Sequence, residues 1–313
     1  MKSEKSIIDD PSIETLSDGW IDKENLPTVS FCIPTYNNEN TIGRCLQSYR
    51  DQNYKNIEII VVDNGSTDST IEIAEEYADE IHFDSGGIGS VRKKSIKESS
   101  GKIIALFDSD IVLPNKNWVS NAVNYFNYSD EVSTVWPENV APPDTPPTTH
   151  IFFRLWHVIE EDRIAKDRGP FGGGNSLFRR DALEEVGGVN ESLHYVEDLD
   201  WAKRLRDAGY KVVYLRDPIH HYTMLGFTIF AKKQFMAAEQ FTRAGGEVTG
   251  LPISTIIYEQ VVLGTRGMIK GLVRDRDLIW FLFPALLFVR AIAFAYTLFN
   301  LGTEKMKSKI ERI

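Results

Sequence analysis

Cysteine is scarce in this sequence, and cationic side chains are outnumbered by acidic ones. The 313 residues include two cysteines, Cys32 and Cys45, which cannot form a disulfide framework or a four-cysteine metal site. We therefore expect a reducing compartment. Lysine and arginine number 35 against 45 aspartate and glutamate, which gives a net charge of -10. Because proteins bind nucleic acid chiefly through cationic contacts to phosphate, this balance disfavours a nucleic-acid-binding protein.

Two cofactor-binding signatures and a targeting signal are also absent. No Rossmann glycine fingerprint follows the first predicted strand, which disfavours a dinucleotide cofactor. No Gly-x-x-x-x-Gly-Lys-Ser/Thr loop occurs, which argues against the phosphate-loop ATPases. Residues 1–26 contain no apolar run like that of a signal peptide. We therefore predict a flexible N-terminal arm there, and no export by that route.

From residue 27 onward, short apolar runs alternate with amphipathic stretches, a pattern typical of βα units around a mainly parallel sheet. The predicted strands cover residues 29–33, 57–62, 80–83, 103–107, 132–136 and 211–215. The predicted helices cover residues 41–50, 69–78, 89–98, 115–127, 151–166 and 198–208. Asn40 is the expected N-cap of the first helix. We predict an α/β domain over residues 27–224.

The remaining residues, 225–313, have a different character. They contain 12 Lys and Arg against 7 Asp and Glu, a charge of +5, which leaves -15 for residues 1–224. Residues 278–299 are apolar apart from Arg290, and basic residues flank both ends. Such a segment can span a bilayer, but cations on both sides favour a re-entrant or in-plane helix on an anionic surface. The alternative is a buried helix of a soluble domain.

Polar clusters follow three of the predicted strands, at residues 34–39, 63–68 and 108–110. Ligands of open α/β sheets bind where the strands end. Asp108 and Asp110 place two carboxylates two residues apart at a buried strand end, where they repel each other unless a cation lies beside them. Mg²⁺ or Mn²⁺ bound with phosphates suits such ligands. The alternative, a helix cap plus a turn acid, accounts for only one of the two.

Other candidate residues lie further along the chain. Glu197 and Asp198 stand at a predicted helix start, where they could serve as caps or accept a proton from an acceptor hydroxyl. His220 and His221 are possible metal or phosphate partners. Arg92 could reach the same cleft. A short glycine-rich run includes Gly173, Gly174 and Asn175. Such a run indicates a backbone that passes close to a ligand or to a neighbouring strand.

Taken in order, these motifs resemble those of the family 2 glycosyltransferases. The resemblance runs from about residue 29 to residue 222 and depends on six motifs: Pro-Thr-Tyr-Asn-Asn-Glu at 34–39, Asp-Asn-Gly-Ser-Thr-Asp at 63–68, Arg92, Asp-Ser-Asp at 108–110, Gly-Gly-Asn at 173–175, and Glu-Asp at 197–198. It implies the GT-A fold, a Rossmann-like mixed sheet flanked by helices that binds a nucleotide-sugar. It also implies inverting transfer of a sugar to an acceptor hydroxyl.

The resemblance also implies roles for individual residues. On the donor side, the nucleoside pocket is lined by Pro34, Tyr36 and Glu39, the base is held by Asp63, and Asp108 lies near the ribose. Asp110 ligates a divalent cation, Mg²⁺ or Mn²⁺, and His221 resembles a histidine near the metal. Glu197 and Asp198 form the acidic pair, with Asp198 as general base. Gly173, Gly174 and Asn175 lie on the acceptor side, and the cation and Arg92 stabilise the departing nucleoside diphosphate.

This sequence departs from the family pattern at two points. Lys93 follows Arg92 where many members have Asn, and the Gln-x-x-Arg-Trp motif of processive synthases is missing after Trp201, so processive polymerisation is not expected. The apolar residues 278–299 favour a cytoplasm-facing membrane enzyme that uses a polyprenyl-phosphate or lipid-linked glycan acceptor. The alternatives are a soluble transferase acting on a protein or small molecule, a nucleotide-binding pseudoenzyme, and a nucleotidyltransferase.

Overall fold

The computed structural model of the protein describes residues 5–9, 26–168, 172–193, 197–249 and 252–310. The chain forms two compact units. Unit 1 comprises Met1–Pro142 and Ile164–Tyr222, and unit 2 comprises Pro143–Arg163 and Thr223–Ile313. Residues 143–163, which the sequence analysis assigned to the α/β domain, therefore group with the C-terminal helices.

Unit 1 is built on one mixed sheet, to which the described residues contribute nine strands. These are β1 (Ile7–Asp9), β2 (Val29–Thr35), β3 (Ile57–Asp63), β4 (Glu80–Phe83), β5 (Ile103–Leu106), β6 (Ile111–Val112), β7 (Val132–Val140), β8 (Ser176–Arg179) and β9 (Lys211–His221). Eight strands follow the order β1-β9-β7-β8-β5-β2-β3-β4, and β6 pairs with β9. Strand β8 runs antiparallel to β5 and β7, whereas β5, β2, β3 and β4 are parallel.

Helices cover both faces of this sheet. They are α1 (Ile42–Arg50), α2 (Thr70–Ala74), α3 (Ile88–Glu98), α4 (Trp118–Asn124, continued by a 3-10 turn at Tyr125–Asn127), α6 (Arg180–Glu185) and α7 (Glu197–Asp207). Alternate residues of β2 serve the two faces: Phe31 packs with Tyr49 and Trp118, while Cys32 packs with Phe178 and Trp201. The predicted mixed α/β sheet with flanking helices is confirmed.

Unit 2 is helical. It contains most of α5 (Pro147–Lys166), then α8 (Phe227–Thr249), α9 (Ile253–Ile257), a π-helical segment (Tyr258–Leu263), α10 (Gly264–Val273), a 3-10 segment (Leu278–Leu282) and α11 (Phe283–Ile310). Its core includes Leu155, Trp280 and Phe283. Gly271 allows the indole to lie against α10, because a Cβ there would be 2.1 Å from Trp280 Cδ1.

Several predicted boundaries differ from the structure. Thr41 rather than Asn40 is the N-cap of α1, and it makes no side-chain capping bond. Strand β9 continues to His221 instead of ending at residue 215, since β7 pairs with it through a register irregularity that accommodates Pro218. Within the predicted N-terminal arm, Ile7–Asp9 forms an edge strand on β9. Residues 10–25 of that arm lie outside the described residues.

Candidate active site

The polar strand ends meet at one edge of the sheet in unit 1. Parallel strands β2, β3 and β5 end at Thr35, Asp63 and Leu106, and Asp108 lies two residues after the end of β5. The short strand β6 runs antiparallel to β9, with Ile111 opposite His221. The Tyr222 N–H also donates to the Asp110 carbonyl at 2.9 Å. This pairing brings the end of β9 to the two aspartates, although more than one hundred residues separate them in sequence.

Asp108, Asp110 and His221 form a set of donor atoms suited to a divalent cation. One ligand atom from each lies within 4.8 Å of the others. Asp110 Oδ1 is 3.2 Å from His221 Nε2. Among the described residues, this buried oxygen has no hydrogen-bond partner. Two carboxylates and an imidazole suit a cation of the Mg²⁺ or Mn²⁺ type, so the residues present fit such an ion.

The pairing of β6 with β9 also shows which of the two candidate histidines lies beside the aspartates. His220 pairs with Val112 and His221 with Ile111. Successive side chains of a strand point to opposite faces, so only one of the two can face the aspartates. His221 is the residue beside Asp110.

Arg92 is the central cation among the residues that gather at these strand ends. It lies on α3 and is 5% exposed. Its Nη1 donates to Glu197 Oε1 at 2.7 Å, and its Nη2 donates to Asp108 Oδ1 at 2.8 Å. The Trp201 ring lies under the guanidinium, 5.5 Å from its centroid to Cζ, a favourable cation–π geometry. One buried arginine thus connects the predicted acidic pair to the aspartates after β5.

The small residues before β8 hold these carboxylates in place. The Asn175 side chain accepts from the Asp108 N–H at 2.9 Å and donates to Asp108 Oδ2 at 3.3 Å. Its φ of 59° is in the left-handed region, which Asn tolerates better than most residues. The Gly174 N–H donates to Asp198 Oδ2 at 3.2 Å. A Cβ at Gly173 would lie 3.1 Å from the same oxygen, so the backbone passes close to Asp198.

Three carboxylates around one guanidinium alter the ionisation of this cluster. Burial raises the pKa of Glu197 to about 7, against the opposing effect of Arg92. Its Oε2 is buried without a hydrogen-bond partner among the described residues, which disfavours the charged form. Burial also raises the pKa of Asp198. Burial opposes the charged form of Arg92, but the carboxylates of Asp108 and Glu197 prevail and raise its pKa.

The predicted donor-side residues surround the ends of β2 and β3. Pro34 is buried, whereas Tyr36 is 57% exposed. The Glu39 carboxylate accepts from the Ser69 N–H at 3.1 Å. Asp63 is 1% exposed and accepts from the N–H groups of Gly65 and Ser66, both at 2.8 Å. Its carboxylate therefore organises the turn after β3.

Two contacts of this site were not predicted from the sequence. One is the pair of hydrogen bonds between the Asn175 amide and Asp108. The other is the ion pair between Arg92 and Glu197. Both contacts join residues more than 60 positions apart, and only the antiparallel pairing of β5 with β8 and the packing of α7 bring them together. The one sequence signal for these contacts was Arg92, an arginine that could reach the cleft containing the acidic residues.

Comparison with known proteins shows the family of this chain. The model of glycosyl transferase family 2 matches residues 30–187. The chain is 30% identical to glycosyltransferase AglE of Haloferax volcanii over 219 residues, which are 67% of this chain and 71% of that protein. The chain belongs to glycosyl transferase family 2. It is also 30% identical to the putative glycosyltransferase EpsH of Bacillus subtilis, covering 63% of this chain and 60% of EpsH.

Solved structures support the fold of this family 2 glycosyltransferase. Mannosyltransferase PcManGT from Pyrobaculum calidifontis, solved with GDP-Man and Mn²⁺, matches with a TM-score of 0.59 at 17% identity, over 89% of this chain and 90% of that chain. Glucosyl-3-phosphoglycerate synthase from Mycobacterium tuberculosis matches with a TM-score of 0.52 at 18% identity, over 79% and 89%. The predicted family and GT-A-type fold are confirmed.

Proposed function

We propose that this enzyme transfers a sugar, with inversion, from a nucleotide-sugar donor to an acceptor hydroxyl or phosphate. The observation that carries the proposal is the cluster at the strand edge of unit 1. There the Asp108, Asp110 and His221 donor atoms adjoin the Arg92–Glu197 ion pair. The similarity in fold to PcManGT, which was solved with GDP-Man and Mn²⁺, supports a nucleotide-sugar donor and a divalent cation.

In this proposal Asp110 and His221 hold the cation, with Asp108 beside them. When bound, such an ion neutralises charge on the donor diphosphate as it departs. The buried Oδ1 of Asp110 supports this assignment, because it accepts no hydrogen bond among the described residues and a buried carboxylate oxygen without one is costly. Arg92 adds a fixed positive charge on the same side, held by Asp108 and Glu197.

Asp198 is assigned as the general base. With a hydroxyl acceptor, such as that of a lipid-linked glycan, it takes the hydroxyl proton while that oxygen forms its bond to the anomeric carbon, and the bond between this carbon and the diphosphate oxygen breaks. The nucleoside diphosphate leaves with the electron pair. Burial raises the pKa of Asp198, which makes it a stronger proton acceptor than an ordinary aspartate. Glu197, bonded to Arg92, fixes the start of α7 that carries Asp198.

The remaining assignments follow the family motifs. Pro34, Tyr36 and Glu39 are assigned to the nucleoside side of the donor. Asp63 is assigned to the base, through the turn that its carboxylate organises. Gly173 and Gly174 are assigned to the acceptor side, where their lack of side chains leaves Asp198 accessible, and Asn175 is assigned there with them.

The acceptor is proposed to be a polyprenyl phosphate or a lipid-linked glycan at the cytoplasmic face of a membrane. Among the described residues, one stretch, Leu278–Asn300, is long and apolar enough to cross a membrane, and 28% of it is buried. Helices of this length and apolar composition in soluble proteins are mostly buried in the core, so the low burial of this stretch supports membrane association.

A donor panel tests the transferase proposal. The purified protein would be incubated with Mn²⁺ or Mg²⁺ and UDP-, GDP- or dTDP-sugars, with and without a polyprenyl-phosphate acceptor. Release of nucleoside diphosphate and formation of a glycosylated lipid would be measured. We expect metal-dependent release with one donor and faster turnover with the acceptor. A folded protein that neither binds nor hydrolyses any donor would contradict the proposal.

A further inference from the structure

The C-terminal apolar stretch in unit 2 has an inner and an outer face. The inner face is close to fully buried and includes Phe283, Leu286, Ala293 and Thr297, each at most 5% exposed. The outer face includes Phe281, Phe288, Ile292, Tyr296 and Phe299, which are 43% to 71% exposed. Within each set the residues are three, four or seven positions apart, as on one side of a helix.

The polarity of these faces is the reverse of that in a water-soluble helix. Arg290, the one charged residue between positions 278 and 300, lies in register with the inner face. Its Nε donates to Gln234 Oε1 at 2.7 Å, and its Nη1 donates to Gln260 Oε1. The outer face therefore carries large apolar side chains and no charge. Soluble monomers rarely expose apolar patches of this extent, and such patches mark surfaces that contact another molecule or a membrane.

The neighbouring helix α10 indicates which partner this surface fits. Its exposed side chains alternate between cationic and apolar, with Arg266, Ile269, Lys270, Val273 and Arg274 all exposed. Interfacial helices combine basic residues, which contact anionic headgroups, with apolar residues that enter the acyl region. A second copy of this surface would oppose the same cations, which disfavours self-association. An anionic phospholipid surface fits both the charge and the apolar area.

The packing of α11 also distinguishes between lying in a membrane and crossing it. Leu278–Asn300 has 23 residues, about 34 Å at about 1.5 Å per residue, which is long enough to cross. However, α11 packs along α8 through its inner face, where Arg290 Nε donates to Gln234 Oε1 of α8 at 2.7 Å. Helix α8 exposes Lys232, Lys233 and Glu239. Crossing would bring these charges into hydrocarbon, at a cost of several kcal/mol.

We propose that unit 2 binds one leaflet of an anionic membrane in the plane of the surface. The outer face of Leu278–Asn300 enters the leaflet, and Lys270 and Arg274 contact the headgroups. This inference rests on the proposed function for its biological setting, because a lipid-linked acceptor resides in such a membrane. Its structural basis lies entirely in unit 2.

Vesicle flotation with the full-length protein tests the surface. We expect binding to phosphatidylcholine vesicles that contain phosphatidylglycerol and weaker binding to phosphatidylcholine alone. Phe288→Ser removes one inserted ring and should weaken binding about tenfold. Lys270→Gln should weaken it about fivefold, on anionic vesicles only. Phe83→Ser is the matched control, because Phe83 is equally exposed, at 63%, but lies in unit 1. Wild-type protein that does not float, or Phe288→Ser that floats normally, would overturn the proposal.

Labelling with a membrane-impermeant maleimide tests the in-plane arrangement. Asp275→Cys and Ser308→Cys place thiols on either side of the apolar stretch, and the native cysteines are buried. On preformed vesicles, both thiols should label as fully as they do in detergent. Protection of one thiol would show that the stretch crosses the bilayer and would overturn the proposal. Metal-dependent donor hydrolysis, measured on the same samples, separates failure of the transferase proposal from failure of the membrane proposal.

Discussion

The two units of this chain distribute charge in opposite ways. In unit 1 apolar residues fill both faces of the sheet, and a dense cluster of ionisable groups lies at one strand edge around Arg92. In unit 2 large apolar side chains on one face of α11 are exposed, and the one charge of its apolar stretch, Arg290, is on the inner face. A buried cluster of ionisable groups costs free energy and therefore indicates a catalytic or binding site. An exposed apolar surface instead indicates where the protein binds another molecule or a membrane.

This comparison predicts that variants of the two units separate cleanly. Changes at the strand edge of unit 1 should alter catalysis and leave vesicle binding intact. Changes on the outer face of unit 2 should do the reverse when activity is measured as donor hydrolysis in solution. A variant that altered both properties would break the comparison.

The largest effect is expected from Asp110→Asn. Loss of one negative ligand weakens cation binding, and donor turnover should fall about a thousandfold or more. Asp130→Asn, an exposed aspartate before β7, is the matched control and should retain full activity. Turnover of nucleoside diphosphate with saturating Mn²⁺ measures both. Normal turnover by Asp110→Asn would refute its assignment as a cation ligand.

Removal of the proposed base should have the next largest effect. Asp198→Asn keeps the size of the side chain but cannot accept a proton, so transfer to a hydroxyl acceptor should fall by roughly 10²–10⁴. Donor binding should persist, because the cation ligands are unchanged. Asp207→Asn, at the exposed end of the same helix, provides the control. Steady-state transfer and equilibrium donor binding are both measured, and equal loss in both would contradict a role as base.

Substitution of two adjacent cations on α3, Arg92 and Lys93, tests the comparison through the free energy of unfolding. Arg92→Ala leaves Glu197 and Asp108 without their buried partner and should lower the free energy of unfolding by about 3–5 kcal/mol. Lys93→Ala breaks only the exposed pair with Glu191, at 3.1 Å, and should cost less than about 1 kcal/mol. Urea unfolding measures both variants. Equal costs would mean that the Arg92 cluster contributes no more than a surface ion pair.

The smallest effect concerns pH. The pKa of Glu197 is raised from 4.5 to about 7, so the folded protein binds this proton more tightly than the unfolded chain does. Glu197 therefore lowers stability as pH rises from about 4.5 to about 7. Glu197→Gln should remove this contribution. The free energy of unfolding of the variant should therefore rise relative to that of wild type as pH increases across that window. A difference that does not change with pH would show that the carboxylate titrates normally.

Much of unit 1 could be predicted from sequence because its signals are local. Strands β2, β3, β4 and β5 were predicted from their sequence patterns, and the polar clusters at 34–39, 63–68 and 108–110 lie at the ends of β2, β3 and β5. The order of these motifs predicted the family, which the comparisons confirm. The clustering of strand-end residues such as Asp63 and Asp108 at one edge follows from the parallel pairing of the strands.

Features that depend on distant pairing could not be predicted. The position of His221 beside Asp110 depends on the antiparallel pairing of β6 with β9, and β6 has only two residues. The edge strand β1 forms because β9 offers an unpaired edge, not because its own sequence is distinctive. The apolar stretch was evident in the sequence, but which of its faces is exposed depends on packing against α8.

The central claim is that the strand edge of unit 1 binds a divalent cation together with a nucleoside diphosphate. The most direct test is thermal unfolding of wild type, Asp110→Asn and Asp130→Asn with UDP or GDP, in Mn²⁺ or in EDTA. At one hundred times its Kd, a ligand stabilises the folded state by about 2.7 kcal/mol. We predict a Mn²⁺-dependent shift with one nucleotide in wild type and Asp130→Asn, and none in Asp110→Asn. An equal shift in all three proteins, or one that persists in EDTA, would contradict the claim.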